Sequence, residues 1–525
     1  MSHRCLRPYA AILACWCLCL TGNASARELA VVQTSNGAVL GAQHDGVEVH
    51  WGIPYAAPPV GELRWMPPRP AASWKGVRAT AVPGPICPQT GDRERSFETG
   101  PMSEDCLTLN IWIPRTADTS KQLPVMFWIH GGGFRTGAGS WPIYDGTRLA
   151  QKGVVVVTIN YRLGYLGQFA HPLLSRSQAG QPLANYGLMD QVAALKWVQQ
   201  NIAAFGGDPD QVTIFGNSSG GVSVNYLMGT PAAKGLFRRA ISQSGAVNIA
   251  GSRDIAKQVG FFPSLESSGE KLAASLLSVE DAGLLAALRA VPYQKILEIQ
   301  DKDGGNSLNP VVDGVFIPKS LGQVFFDGEQ HAVPLLTGSN TWEQSLLVNT
   351  AQPIPPRFVL AGVKDMDKLR SIYNNVDDAL LANEYFRDGR FAFTSYFLAT
   401  QMQRVSQPAY LYSYSYVPRA LSRVREGAAH GDEVPFIFGN LPGGLHDYAA
   451  DQITAEDRSF SSSIANYWVQ FAKTGNPDYQ GQPHWPPANG ESASWMELGA
   501  NIRTLDDFKT IPMQFYMHEA RLSLE

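Results

Sequence analysis

Gly216-Asn217-Ser218-Ser219-Gly220 fits the G-x-S-x-G pattern, in which a strained strand-to-helix turn lifts a serine hydroxyl into the open. The glycines are needed because a Cβ there would strike neighbouring backbone. A helix starting near Ser218 would aim its N-terminal dipole at negative charge developing on a substrate oxygen. Five residues are a weak signal in a chain with 50 glycines, and a plain Gly-Ser turn is the bland alternative. Ser219 is a rival nucleophile, one place past the apex. A second segment, His130-Gly131-Gly132-Gly133-Phe134, exposes successive backbone N–H groups and suits an oxyanion hole. Its expected donors are Gly132 and Gly133, joined by the N–H of Ser219. Losing one such donor typically costs about 3–4 kcal/mol of transition-state stabilisation. A flexible glycine linker fits less well, because an apolar run stands immediately upstream. The chemistry these segments would serve is acyl transfer, with serine attacking a carbonyl and amides holding the oxyanion.

Elements must hold these segments. Leu123 to Ile129 and Val154 to Ile159 are short β-rich apolar runs followed by polar or Gly-rich turns, and read as buried strands of a parallel sheet. From Leu188 to Phe205 the apolar residues keep a helical period until Gly206-Gly207-Asp208-Pro209 stops it. Val212 to Phe215 is the next strand, and Gly216 begins the sharp turn. Strands alternating with helices predict an α/β fold with a covered sheet. With no repeat and no low-complexity linker, residues 27–525 are expected to form one domain with long insertions.

These two segments and their surroundings resemble the type-B carboxylesterase/lipase family, the cholinesterase-like branch of the α/β-hydrolases. The resemblance runs over most of the chain. It includes Trp51-Gly52-Ile53-Pro54-Tyr55-Ala56, Glu104-Asp105-Cys106-Leu107 and Asn160-Tyr161-Arg162-Leu163-Gly164. Further on stand Asp190-Gln191, Ser242-Gln243-Ser244-Gly245 and Phe471-Ala472-Lys473-Thr474-Gly475-Asn476-Pro477. It implies an α/β-hydrolase fold, a large mostly parallel central sheet covered by helices on both faces. The family's acidic residue lies in a G-x-N-x-x-E segment after a strand. Here Gly338 to Glu343 follows Val333 to Thr337, which implies Glu343. The family's His opens a His-Gly segment before an apolar run, which implies His430 in His430-Gly431-Asp432-Glu433-Val434. Residue types alone leave His446, His484 and His518 open beside His430, and Asp432 open beside Glu343. The order Ser218, Glu343, His430 agrees with this fold, whose His comes last, so His130 reads as structural. Ser244 resembles the family's serine near the acid. The implied mechanism is ester hydrolysis through an acyl-enzyme, with no metal and no organic cofactor. A lipase for long-chain esters is the alternative within enzymes. An inactive binding module of the same fold is the alternative outside them, and it would be expected to have lost part of the machinery.

Three departures bear on substrate. Asn217 stands where the family usually has Glu. The segment from Cys87 to Cys106 has no Trp to present a π-face to a quaternary ammonium, which argues against a cholinesterase. Arg135 follows the glycine loop and is a candidate to receive an anionic or hydrogen-bonding substrate group, with Arg93 or Arg95 beside it. A surface salt bridge is the bland reading of Arg135.

Composition agrees. A chain of 525 residues that is 44% hydrophobic can bury a large core, which excludes a disordered or fibrous protein. With 42 basic and 46 acidic side chains and no dense basic block, a nucleic-acid partner has no support. Arg4 and Arg7, an apolar Ala10 to Leu20 stretch and Ala24-Ser25-Ala26 describe a signal peptide over residues 1–26. The stretch is too short for a membrane span, and a lipoprotein reading at Cys15 fits less well. Four of the six cysteines lie in that leader, so Cys87 and Cys106 are expected to pair in an oxidising compartment. Closing that loop would stabilise by about 3 kcal/mol in the chain-entropy model. Outside the leader, the only Asn-x-Ser/Thr is at Asn217 itself, which leans towards a periplasmic or bacterial extracellular protein.

Overall fold

The structure is a computed structural model, and it describes residues 29–90, 100–115, 121–249, 251–259, 263–278, 283–302, 308–348, 354–441, 449–488 and 493–524. The leader and Arg93 and Arg95 lie outside the described residues. Eleven strands form one twisted sheet: β1 (Ala42–His44), β2 (Val47–Pro54), β3 (Thr108–Pro114), β4 (Leu123–Ile129), β5 (Val155–Ile159), β6 (Gly207–Asn217), β7 (Arg239–Gln243), β8 (Leu335–Asn340), β9 (Ala409–Tyr414), β10 (Trp495–Leu498) and β11 (Arg503–Leu505). Their spatial order is β1-β2-β3-β5-β4-β6-β7-β8-β9-β10-β11. From β5 through β10 every pair is parallel, while the outer pairs are antiparallel. A separate small sheet joins Val32–Gln33, Ala38–Leu40 and Val77–Ala79.

The central strands are apolar without alternation because both faces are covered. Val125, Phe127 and Ile129 of β4 face one core layer, while Met126 and Trp128 face the other. Helices α1 (Tyr186–Asn201) and α2 (Ser219–Gly229) fill the first layer with Leu188, Leu195, Val224 and Leu227. Helices α3 (Glu433–Phe438) and α4 (Ala455–Thr474) fill the second with Phe436, Ile464, Trp468 and Phe471.

The expected strands and helix are present, with shifted ends. The periodic run from Leu188 splits into α1 and a 3-10 turn, Ile202–Phe205, closed by Gly206 at φ 78°. Strand β6 continues beyond Phe215, because Gly216 pairs with both Ile129 and Ser242 and Asn217 pairs with Gln243. The sharp turn therefore falls at Ser218, not at Gly216. Likewise β8 covers Leu335–Asn340 and takes Gly338 and Asn340 into the ladder with β9. Glycine and asparagine disfavour strands, but ladder pairing overrides that preference here, on both sides at Gly216 and Gly338 and on one side at Asn217 and Asn340.

Strand β4 lies between β5 and β6, so the connections reverse direction there, and open α/β sheets carry their sites beyond the C-terminal ends of strands at such a point. Segments leaving β4, β6, β7, β8 and β9 hold Gly132, Ser218, Ser244, Glu343 and His430 respectively.

Candidate active site

Ser218 caps α2 with φ 57° and ψ −125°, a conformation costly for a residue with a Cβ. The ladder on one side and the helix on the other impose it. The backbone segments approach so closely that a Cβ on Gly220 would lie 2.0 Å from Ile129 O, and one on Gly216 would lie 2.6 Å from Gly220 C. Only glycine fits at either place, as the motif demands. Ser219, 5% exposed, is the first helical residue.

The glycine loop lies against this turn. A Cβ on Gly131 would stand 2.8 Å from Asn217 O and 3.1 Å from Ser218 Cβ. Gly132 and Gly133 follow at φ 108° and 64°, and Gly132 O accepts the N–H groups of Arg135 and Thr136. The N–H groups of Gly132, Gly133 and Ser219 donate to no backbone carbonyl among the described residues. Gln89 braces the far side of the loop: its Oε1 accepts from Gly137 N at 2.8 Å and Thr136 Oγ1 at 2.7 Å. Gln89 is anchored next to the disulfide between Cys87 and Cys106, whose Cα atoms are 5.0 Å apart. Arg135 is half-buried beside the loop.

Glu343 and His430 meet. Glu343 Oε2 lies 2.5 Å from His430 Nδ1, while its Oε1 accepts from Ser244 Oγ at 2.6 Å and from Asn340 N at 2.7 Å. The Glu343 carboxyl is wholly buried. His430 N donates to Ser345 Oγ, and Gly431 faces Asn217, with 3.7 Å from its notional Cβ to Asn217 Oδ1. Phe391 packs edge-on against the imidazole at 5.4 Å. His430 Nε2 is buried and has no hydrogen-bond partner among the described residues. Burial lowers the His430 pKa, but the charge and hydrogen bond of Glu343, with the charges of Glu433 and Asp432, outweigh it and leave the imidazole above its ordinary value.

The rivals are placed elsewhere. Asp432 accepts from Arg425 Nη1 at 2.5 Å and from Ala429 N at 2.8 Å, which orders its own loop. His484 pairs with Asp478 at an exposed position, and His446 lies outside the described residues. His130 is fully buried, stacks on Tyr161 at 4.3 Å and is pushed down to about 4 by burial.

One residue escaped the sequence reading. Glu433, fully buried, accepts from Asn217 Nδ2 at 2.7 Å, Gln243 Nε2 at 3.1 Å and Asn340 Nδ2 at 2.7 Å. Its place in a His-Gly-Asp-Glu run before an apolar stretch was the available signal. The fold alone brings the three amides to it. Among the described residues no group of His, Cys, Asp and Glu is arranged to hold a metal ion, and no helix is long and apolar enough to cross a membrane.

A sheet in this order, with its polar parts on five neighbouring strand ends, defines an α/β-hydrolase fold, and the class is that of carboxylic ester hydrolases. A profile of the carboxylesterase family matches residues 28–376 and 368–516, and the chain belongs to that family. It is 36% identical to para-nitrobenzyl esterase of Bacillus subtilis (strain 168), covering 91% of this chain and 96% of that protein. It is 35% identical to fumonisin B1 esterase of Sphingopyxis macrogoltabida, over 87% of this chain and 84% of the relative. A solved PNB esterase structure superposes with a TM-score of 0.82 at 34% identity, covering 93% of this chain and 99% of that one.

Proposed function

We propose that the chain hydrolyses esters through an acyl-enzyme on Ser218. His430 Nε2 takes the Ser218 proton as Oγ attacks the carbonyl carbon, and Glu343 holds the imidazole in the tautomer that leaves Nε2 free to accept. Gly132, Gly133 and Ser219 donate to the tetrahedral oxyanion. The imidazolium then returns its proton to the departing alcohol, and water repeats the attack on the acyl carbon with the same base. The observation that carries this reading is the Glu343–His430 hydrogen bond, with Nε2 buried and without a hydrogen-bond partner among the described residues and the His430 loop seated against the Ser218 turn. An organophosphonate probe tests it: the native chain should be labelled and inactivated, and Ser218→Ala should be neither labelled nor active. Labelling of Ser218→Ala at another serine, with activity retained, overturns it.

The substrates we infer are polar or anionic esters met outside the cytoplasm. Arg135 beside the glycine loop supports the first part, and the leader pattern with the Cys87–Cys106 bridge supports the second. Comparing Arg135→Ala on an acidic and a neutral ester of equal size decides the charge preference, and equal losses of kcat/KM reject it. N-terminal sequencing of the exported protein should begin at Arg27. A lipase reading draws on exposed Leu346, Val348, Ile354 and Phe358 soon after Glu343. Activity rising sharply above substrate solubility would favour it.

A further inference from the structure

We propose that Glu433 is a positioning residue for this reaction: a buried carboxylate, held by the amides of Asn217, Gln243 and Asn340, that ties the nucleophile turn to the acid and base segments and sets a fixed negative charge behind His430. It rests on the reading of Ser218 and His430 above.

The three donors belong to three separate segments. Asn217 precedes the nucleophile, Gln243 ends β7 and precedes Ser244, and Asn340 ends β8 three residues before Glu343. Glu433 itself follows His430 by three residues at the start of α3. One carboxyl group therefore joins the backbones that carry every reacting side chain.

Two of the amides cannot turn round. Gln243 Oε1 accepts from the indole Nε1 of Trp468 at 3.1 Å, and an indole can only donate, so Nε2 must face Glu433. Asn340 Nδ2 donates to Ala429 O at 2.6 Å as well as to Glu433 Oε2, and a carbonyl can only accept. Each Glu433 oxygen thus meets an N–H of fixed sense. A proton on this carboxyl would need an acceptor, which only an inverted Asn217 could offer among these three amides. Burial pushes the Glu433 carboxyl up, the Asn340 donor opposes that, and the Glu343 charge adds to it. The other titratable groups facing the pair are Glu343, the Asp432–Arg425 ion pair, and Tyr144, Tyr412 and Tyr414, whose phenols burial keeps neutral. The usual Glu before the nucleophile would set a second carboxylate against Glu433, and two such groups must share a proton. Asn217 replaces that shared proton with a permanent donor, so a single charge stays in place.

The experiment measures kcat/KM against pH on a neutral short-chain ester, with proton release followed at constant pH. In Glu433→Gln the acid limb should move to lower pH by on the order of one unit, because the anion that favours protonated His430 is gone. The plateau should fall about tenfold while organophosphonate labelling of Ser218 persists, which separates this outcome from failure of the acyl-enzyme reading. The swap Asn217→Asp with Glu433→Gln returns the carboxylate to the same pair and should restore the limb. An unmoved limb in Glu433→Gln overturns the proposal. If Glu433→Gln does not fold, Asn217→Asp alone decides. With Glu433 ionised beforehand, the new carboxyl takes up a shared proton and the limb stays put. A limb moved up by about one unit shows that Glu433 was neutral and overturns the proposal.

Discussion

Ser244 Oγ donates to Glu343 Oε1 at 2.6 Å, on the carboxylate oxygen that His430 does not use. Ser244 is held for this at φ 49°, with its N–H on Gly338 O at 2.9 Å. The donor fixes which oxygen meets the imidazole. Ser244→Ala removes one donor from a wholly buried carboxylate, a loss of about 1–3 kcal/mol. Steady-state kinetics should show kcat lowered roughly tenfold or more with KM nearly unchanged, since on the proposed mechanism the serine acts through the base and not on substrate.

Folding stability should carry a signature of His130. Its imidazole titrates near 6.5 in an unfolded chain but is pushed down to about 4 by burial. A depressed histidine pKa means the unfolded chain binds more protons between those values, so stability is fully present above pH 6.5 and is lost as pH falls towards 4. The loss is on the order of 3 kcal/mol. Thermal midpoints across this range should fall less steeply for a folded His130→Asn variant than for the native chain.

Arg162 makes a bidentate, fully buried contact with Asp190, with Nη2 to Oδ1 at 2.6 Å and Nε to Oδ2 at 2.8 Å. It ties the segment after β5 to α1. Arg162→Met leaves the Asp190 carboxylate buried without its cation, which typically costs about 3–5 kcal/mol. Chemical denaturation should show a lowered midpoint, and Arg162→Met with Asp190→Leu should regain much of the loss.

The Cys87–Cys106 bridge stands two residues from Gln89, whose side chain clasps the glycine loop. Cys87→Ala with Cys106→Ala should lower stability by about 2–5 kcal/mol. It should also lower kcat at temperatures where the protein remains folded, because the proposed oxyanion donors lose their brace. Gln89→Ala should reproduce the kinetic loss with little of the loss in stability.

Local chemistry was legible where a residue type is forced by close approach. Gly216, Gly220 and the glycine run need no knowledge of the rest of the fold, and the doubly covered strands β4 and β5 show as unbroken apolar runs. The pairing of Glu343 with His430 was reached by resemblance, since residue types alone left four histidines open. Glu433 lay hidden because its meaning depends on three amides from strands far apart in the chain. The edge contact of Phe391 on His430 was hidden for the same reason, and the antiparallel direction of β2 and β3 depends on which strands they join, which their own residues do not state. Strand ends were misjudged at Gly216 and Gly338, where neighbours on both sides hold residues of weak strand preference.

The parts of the site sit on neighbouring strand ends but are synthesised far apart, and this gives the growing polypeptide a built-in delay. A ribosome finishes the serine turn and its glycine loop long before it reaches the imidazole. Each later part is seated only when another strand joins the open edge of the sheet. On the proposed mechanism, any fragment released before β9 therefore carries a hydroxyl without its base, and hydrolytic competence arrives with the last half of the molecule.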